Sequence, residues 1–149
     1  LPLNKMLDKG VNIGLGVDGS ASNDSGNLLN EARQALYLQR VNETNNFYLN
    51  ARNALWLATA GGATALNRDD IGSIKVGNCA DFAIYDSTSL ELAGSVEDPI
   101  GGLIFCGPFK TRWTICNGQI ISENNNIKNI SIEDTINQHN SLSRKLINS

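Results

Sequence analysis

Asp18 is the residue in this sequence best placed to do chemistry. It follows residues 11–17, where Val11, Ile13, Leu15 and Val17 alternate with Asn12, Gly14 and Gly16. A run of turn formers comes next, Gly19-Ser20-Ala21-Ser22-Asn23-Asp24-Ser25-Gly26. The alternation predicts a short strand with one face nearly bare of side chains, so a neighbour must approach that face closely. A carboxylate at the end of such a strand lies where β/α barrels carry their active sites. One of its oxygens can face a metal ion while the other exchanges a proton with a water. Ser20 and Asn23, on the same loop, can hydrogen-bond a substrate. The competing account is that Asp18-Gly19 only turns the chain, with Asn23 or Ser25 capping the next helix.

Other residues invite attention and carry less. Gly14-Leu15-Gly16-Val17-Asp18-Gly19 matches the letters of the GxGxxG phosphate-binding fingerprint. That motif needs a strand before its first glycine and a helix directly after its last, and neither is placed so here. His139 is the one histidine of the chain, far in sequence from Asp18, and a histidine ligates metal only with converging partners. Cys79, Cys106 and Cys116 are odd in number and form no CxxC pair, so they read as small buried hydrophobes in a reducing compartment, the cytoplasm. Trp56 and Trp113 read as core or interface aromatics. Three triplets match the N-glycosylation acceptor, at Asn23, Asn42 and Asn129, as chance matches in an Asn-rich chain.

The elements that must position these residues follow from periodicity and turn chemistry. Residues 1–9 carry Leu3, Met6 and Leu7 at helical spacing, and Gly10 stops that helix. Leu28, Leu29, Ala32, Ala35, Leu36 and Leu38 predict a second helix, residues 42–50 a loop around Phe47 and Tyr48, and residues 53–66 a third helix. Gly61-Gly62 is costly inside a helix and suggests tight packing against a neighbour. Short runs at 72–76, 81–85, 102–105 and 112–116 read as strands, with Asn117-Gly118 as a hairpin turn into 119–122. They predict a small antiparallel sheet. After an Asn124-Asn125-Asn126 linker, residues 127–149 read as a helix that Ser131-x-x-Asp134 can cap.

Composition bounds the partners. The 149 residues are 41% hydrophobic and 18% charged with a net charge of −3, enough for a core and too apolar for a disordered chain. No basic stripe attracts phosphate backbones, so nucleic acid is not an expected partner. No stretch reads as a membrane span or export signal, so no membrane partner is expected. The chain starts at Leu1 with sequence that already reads as mid-domain, as a fragment would.

Two stretches together resemble a known family. Val17-Asp18-Gly19-Ser20-Ala21-Ser22-Asn23-Asp24, followed by Asn30-Glu31-Ala32-Arg33-Gln34-Ala35, is similar to the last barrel strand and following helix of the amidohydrolase superfamily. The likeness is strongest to the branch of 8-oxoguanine deaminases and triazine-ring hydrolases. Residues 54–66 resemble that family's helix after the barrel, and residues 70–82 resemble its return into a β-sandwich. Asp98-Pro99 and Cys106-Gly107-Pro108 look like the 8-oxoguanine deaminase branch, and Gln138-His139-Asn140 looks like the closing helix.

The resemblance implies an α/β fold: the C-terminal piece of a metal-dependent (β/α)8 barrel, part of the flanking β-sandwich domain and a C-terminal helix. It places the last barrel strand and following helices in residues 1–68, the sandwich portion in 69–123 and the closing helix in 127–149. In the family one divalent metal ion, zinc or iron, is held by a His-x-His pair, further histidines and a final Asp, which Asp18 matches. The implied role of Asp18 is to help bind the metal, take a proton from the nucleophilic water and pass it to the departing amine. The implied reaction is hydrolytic deamination of a small nitrogen heteroaromatic such as 8-oxoguanine, a purine or a pyrimidine. A triazine-type amino- or chlorohydrolase and a non-catalytic remnant or binding module are the alternatives. The His-x-His pair is absent, and a barrel takes about 250 residues, so these residues alone are expected to be inactive. The expected protein partner is a missing N-terminal barrel segment or a second copy in a homo-oligomer. Asn78 and Cys79 depart from the family's turn without touching the chemistry.

Overall fold

The computed structural model describes residues 1–42 and 49–148. Its Cα atoms form two compact units, Leu1–Cys79 with Ser87–Phe109, and Ala80–Asp86 with Lys110–Ser149. Most of the loop expected at 42–50, with Phe47 and Tyr48, lies outside the described residues, as does part of the Asn42 triplet.

The first unit is built on helices. α1 (Leu3–Asp8) ends as its sequence predicts, with Gly10 in the left-handed region at φ +73°. α2 (Leu28–Asn42) buries Ala32 and Leu36, four residues apart on one face. α3 (Ala51–Leu57) begins with a reciprocal cap, since Asn50 Oδ1 accepts from Asn53 N (2.9 Å) and Asn53 Oδ1 accepts from Asn50 N (3.4 Å). Leu3, Ala32, Leu36, Leu49, Leu57 and Ile104 form the core with Ala51 and Ala54.

Four expectations for residues 53–106 of this unit need correction. The helix predicted over 53–66 is two helices, α3 and α4 (Ala60–Ala65), because Thr59 leaves helical geometry between them. Residues 102–105 are not a strand but part of α5 (Pro99–Phe105), where Asp98 Oδ1 caps Gly101 N (3.1 Å) and Pro99 opens the first turn. Residues 72–76 form no strand, as Gly72 and Gly77 at φ +78° and +96° bend the chain, leaving Ile74 and Val76 exposed. Cys106, at the end of α5, is exposed and not a core hydrophobe. Beyond α4, hydrogen bonds from Arg68 (2.6 Å) hold the Asp70 carboxyl well below the usual carboxylate range. The pair is exposed, so solvent screens it.

The second unit is an antiparallel sheet in the order β1 (Phe82–Ile84), β2 (Trp113–Cys116), β3 (Gln119–Glu123), β4 (Asn126–Ile127), followed by α6 (Ile132–Ile147). The hairpin between β2 and β3 falls on Asn117 (φ +47°) and Gly118 (φ +76°), two left-handed residues in succession, the geometry that Asn-Gly favours. A Gly118→Ala variant gains only ordinary contact with the Ala80 side chain, at 4.0 Å. The expected loss of roughly 1 kcal/mol therefore comes from the left-handed backbone alone, and thermal denaturation reads it. Asn124-Asn125 is not a linker but a second turn, with φ +47° and +70°, that folds β4 back on β3. Trp113 is half-buried, its indole nitrogen donating to Glu123 Oε1 (3.0 Å), and Cys116 is exposed at the strand end, again contrary to the core reading. Ser131 Oγ caps α6 at Asp134 N (3.2 Å) as expected. Among the described residues no helix is long and apolar enough to cross a membrane.

Candidate functional site

Residues 11–17 run without regular secondary structure, contrary to the strand expected there. A strand is defined by a ladder, and these residues have no neighbouring strand among the described residues to supply one. Leu15 N donates instead to Leu57 O (3.0 Å), and Ile13 and Leu15 pack against the core. The close approach predicted for the glycine face is present. A Cβ on Gly14 would lie 2.6 Å from Gly62 Cα, and a Cβ on Gly61 would lie 2.7 Å from Ile13 O. One glycine of each pair makes the approach, whereas a Cβ on Gly16 or on Gly62 would meet nothing within 4 Å. A phosphate-binding reading of Gly14-x-Gly16 fails, because Gly14 faces protein backbone and α2 does not begin until Leu28.

The chain leaves this anchored segment at Asp18, whose φ of +61° is a left-handed conformation that Asp tolerates better than most residues. Its carboxylate is exposed, and Oδ1 accepts from Gly19 N (2.7 Å). A turn closes behind it, with Ser22 N and Asn23 N both donating to Gly19 O (2.8 and 3.0 Å). Asn23 Oδ1 accepts from Ser25 N (3.1 Å), while Asn23 Nδ2 donates to Glu31 Oε1 on α2 (2.6 Å). Ser20 is exposed on the same turn. The cap of α2 is Asn27, whose Oδ1 accepts from Leu29 N and Asn30 N (3.0 and 3.2 Å), and not Asn23 or Ser25. Asp18, Ser20 and Asn23 therefore share one turn.

A groove of about 370 Å³ is lined by Leu3, Ile13, Leu15, Gly16, Glu31 and Leu38 among others, and by none of Asp18, Ser20 and Asn23. It is mostly apolar, with Glu31 among its lining residues. Glu31 is the residue that sequence reasoning left without a role, since no spacing rule links a loop amide to a helix carboxylate eight positions on. Arg33, also on α2, donates from Nε to Ile104 O (2.6 Å) and ties that helix to α5.

The residues present can supply one metal ligand and not a complete site. A catalytic zinc ion takes about three protein donors. Among the described residues no three His, Cys, Asp or Glu side chains cluster to hold an ion. His139 is exposed on α6, in the second unit.

Comparison with known proteins converges on one family. A profile of the amidohydrolase family matches residues 1–133. The 8-oxoguanine deaminase of Pseudomonas aeruginosa is 45% identical over 105 residues, which are 70% of this chain and 23% of that protein. The 5'-deoxyadenosine deaminase of Methanosarcina acetivorans is 33% identical over 146 residues, 98% of this chain and 34% of that protein. The crystal structure of an atrazine chlorohydrolase from Arthrobacter aurescens complexed with zinc superposes with a TM-score of 0.86 at 35% identity, over 95% of this chain and 32% of that one. The chain therefore spans between 23% and 34% of the length of these relatives.

Proposed function

The chain belongs to the amidohydrolase family, and from that premise we propose that it is the C-terminal part of a metal-dependent deaminase acting on a nitrogen heteroaromatic ring. The observation that carries the reading is Asp18 itself. Its carboxylate stands exposed where a backbone-anchored segment gives way to a polar turn that Asn23 ties to Glu31 of α2. An oxidised purine is the favoured substrate class, given the likeness to an 8-oxoguanine deaminase. A triazine ring is the second reading, given the likeness to an atrazine chlorohydrolase.

In this proposal Asp18 is one ligand of a divalent metal ion, zinc or iron, and the other donors come from outside the described residues. Such an ion, when bound, lowers the pKa of water and polarises the ring. Asp18 takes the proton released as water oxygen bonds to the ring carbon. It then delivers that proton to the exocyclic nitrogen as the carbon–nitrogen bond breaks, so ammonia leaves, and the second water proton passes from the new hydroxyl to the adjacent ring nitrogen to give the oxo product. The two carboxylate oxygens allow both duties. Ser20, and Asn23 through the amide hydrogen that Glu31 does not take, are the proposed ring contacts.

The test is metal content and ammonia release by the full-length protein that carries these residues, supplied with 8-oxoguanine, adenosine-type and triazine substrates. We expect a chelator to abolish ammonia release from a purine and added zinc or iron to restore it. Chloride or alkylamine release from a triazine would favour the second reading. A metal-free protein that turns over none of them would leave a binding module.

A further inference from the structure

The hydrogen bonds around Asp18 form a continuous chain that ends on α2. Asp18 Oδ1 is held by Gly19 N (2.7 Å), and Gly19 O is held by Ser22 N and Asn23 N (2.8 and 3.0 Å). Asn23 Nδ2 is held by Glu31 Oε1 (2.6 Å). The last bond joins the turn to a helix that buries Ala32 and Leu36 in the core. It is also charge-assisted, so it is the strong link of the series. The rest of the turn, residues 19–22 and 24–26, is exposed and made of Gly, Ser, Ala and Asp, residues that do not hold a loop by packing.

We propose that Glu31 is a positioning residue: through Asn23 it straps the turn to α2 and so sets where the Asp18 carboxylate stands. Glu31 touches neither the reacting ring nor the metal in this account. The inference rests on the role given to Asp18 above. A misplacement of a reacting group by about 1 Å can cost on the order of a hundredfold in rate, and a loose turn would allow one.

The experiment is a kinetic and exchange comparison in the full-length protein. Glu31→Ala is expected to lower kcat by roughly ten- to a hundredfold, while Glu31→Gln, which keeps an acceptor for Asn23 Nδ2, stays within about threefold of wild type. Asn23→Ala should lose at least as much kcat as Glu31→Ala, because it also removes a proposed ring contact, and the double variant should fall no further than Asn23→Ala alone, as two ends of one bond require. Amide hydrogen exchange at Ser22 and Asn23 should accelerate by at least about tenfold in Glu31→Ala and hold in Glu31→Gln, because local opening sets that rate. Metal content should drop in Glu31→Ala and hold in Glu31→Gln. Should Glu31→Ala fail to fold, Asn23→Ala carries the exchange and metal-content expectations, which do not depend on its proposed ring contact. Unchanged kcat and exchange in both alanine variants, or losses that multiply in the double variant, would overturn the strap. Asp18→Asn in the same assay separates the two ideas: an active Asp18→Asn sinks the proposed function, whereas an inactive one beside a normal Glu31→Ala sinks only the strap.

Discussion

Asp18→Asn is expected to cut turnover of the full-length protein by about a thousandfold, the middle to upper range for loss of a proton-transferring group. The substitution isolates chemistry from fold. Asn is the same size, and like Asp it accepts φ values near the +61° seen at this position. Its side-chain oxygen can still accept from Gly19 N, the 2.7 Å bond that orients the carboxylate. What disappears is the negative charge offered to a metal ion and the capacity to carry a proton between water and leaving amine. A thermal midpoint close to wild type with collapsed ammonia release and lowered metal content is the predicted combination. A rate near wild type would remove Asp18 from the mechanism.

Gly14→Val should cost about 3 kcal/mol of stability, at the severe end of overpacking, because the new atoms meet backbone and not a side chain that can swing aside. The Cβ alone would sit 2.6 Å from Gly62 Cα and 3.1 Å from Gly62 N. Relief would require α4 to move away from the segment that leads to Asp18. The adjacent helical glycines give the control. Gly61→Ala drives a Cβ to 2.7 Å from Ile13 O, whereas a Cβ on Gly62 meets nothing within 4 Å. Gly62→Ala is thus expected to be neutral or to stabilise by up to about 1 kcal/mol, since alanine favours a helix where glycine does not. Chemical denaturation followed by a helix signal should order the variants Gly62→Ala, Gly61→Ala, Gly14→Val from most to least stable. Gly62→Ala as damaging as Gly61→Ala would contradict the packing described here.

Some of this architecture is written in short-range signals. Gly10 after α1, the four-residue spacing of Ala32 and Leu36 in α2, Asn117-Gly118 between β2 and β3, and Ser131 before α6 each act through their own backbone or the next helical turn, so the residue type is nearly the whole cause. Asp98-Pro99 belongs with them: it is a cap and first-turn proline that predict α5, although the apolar residues after it, Gly102-Leu103-Ile104-Phe105, read as a strand. Composition and motif also sufficed to put Asp18, Ser20 and Asn23 on one polar turn.

Other features depend on partners distant in sequence. The glycines at 14 and 61 are each only permissive, and the 2.6 Å and 2.7 Å approaches exist because the chain brings the two segments together. Whether residues 11–17 form a ladder depends on a neighbouring strand, and an alternating pattern alone cannot supply one. The link from Asn23 to Glu31 joins a loop to a helix face, where neither helical nor strand periodicity applies, so only the folded chain could assign it. Residue types determined which backbone conformations and which chemistry were available at each position. Tertiary contact decided which of those positions meet, because the energy of close packing and of a buried or charge-assisted bond arises between segments and belongs to neither alone.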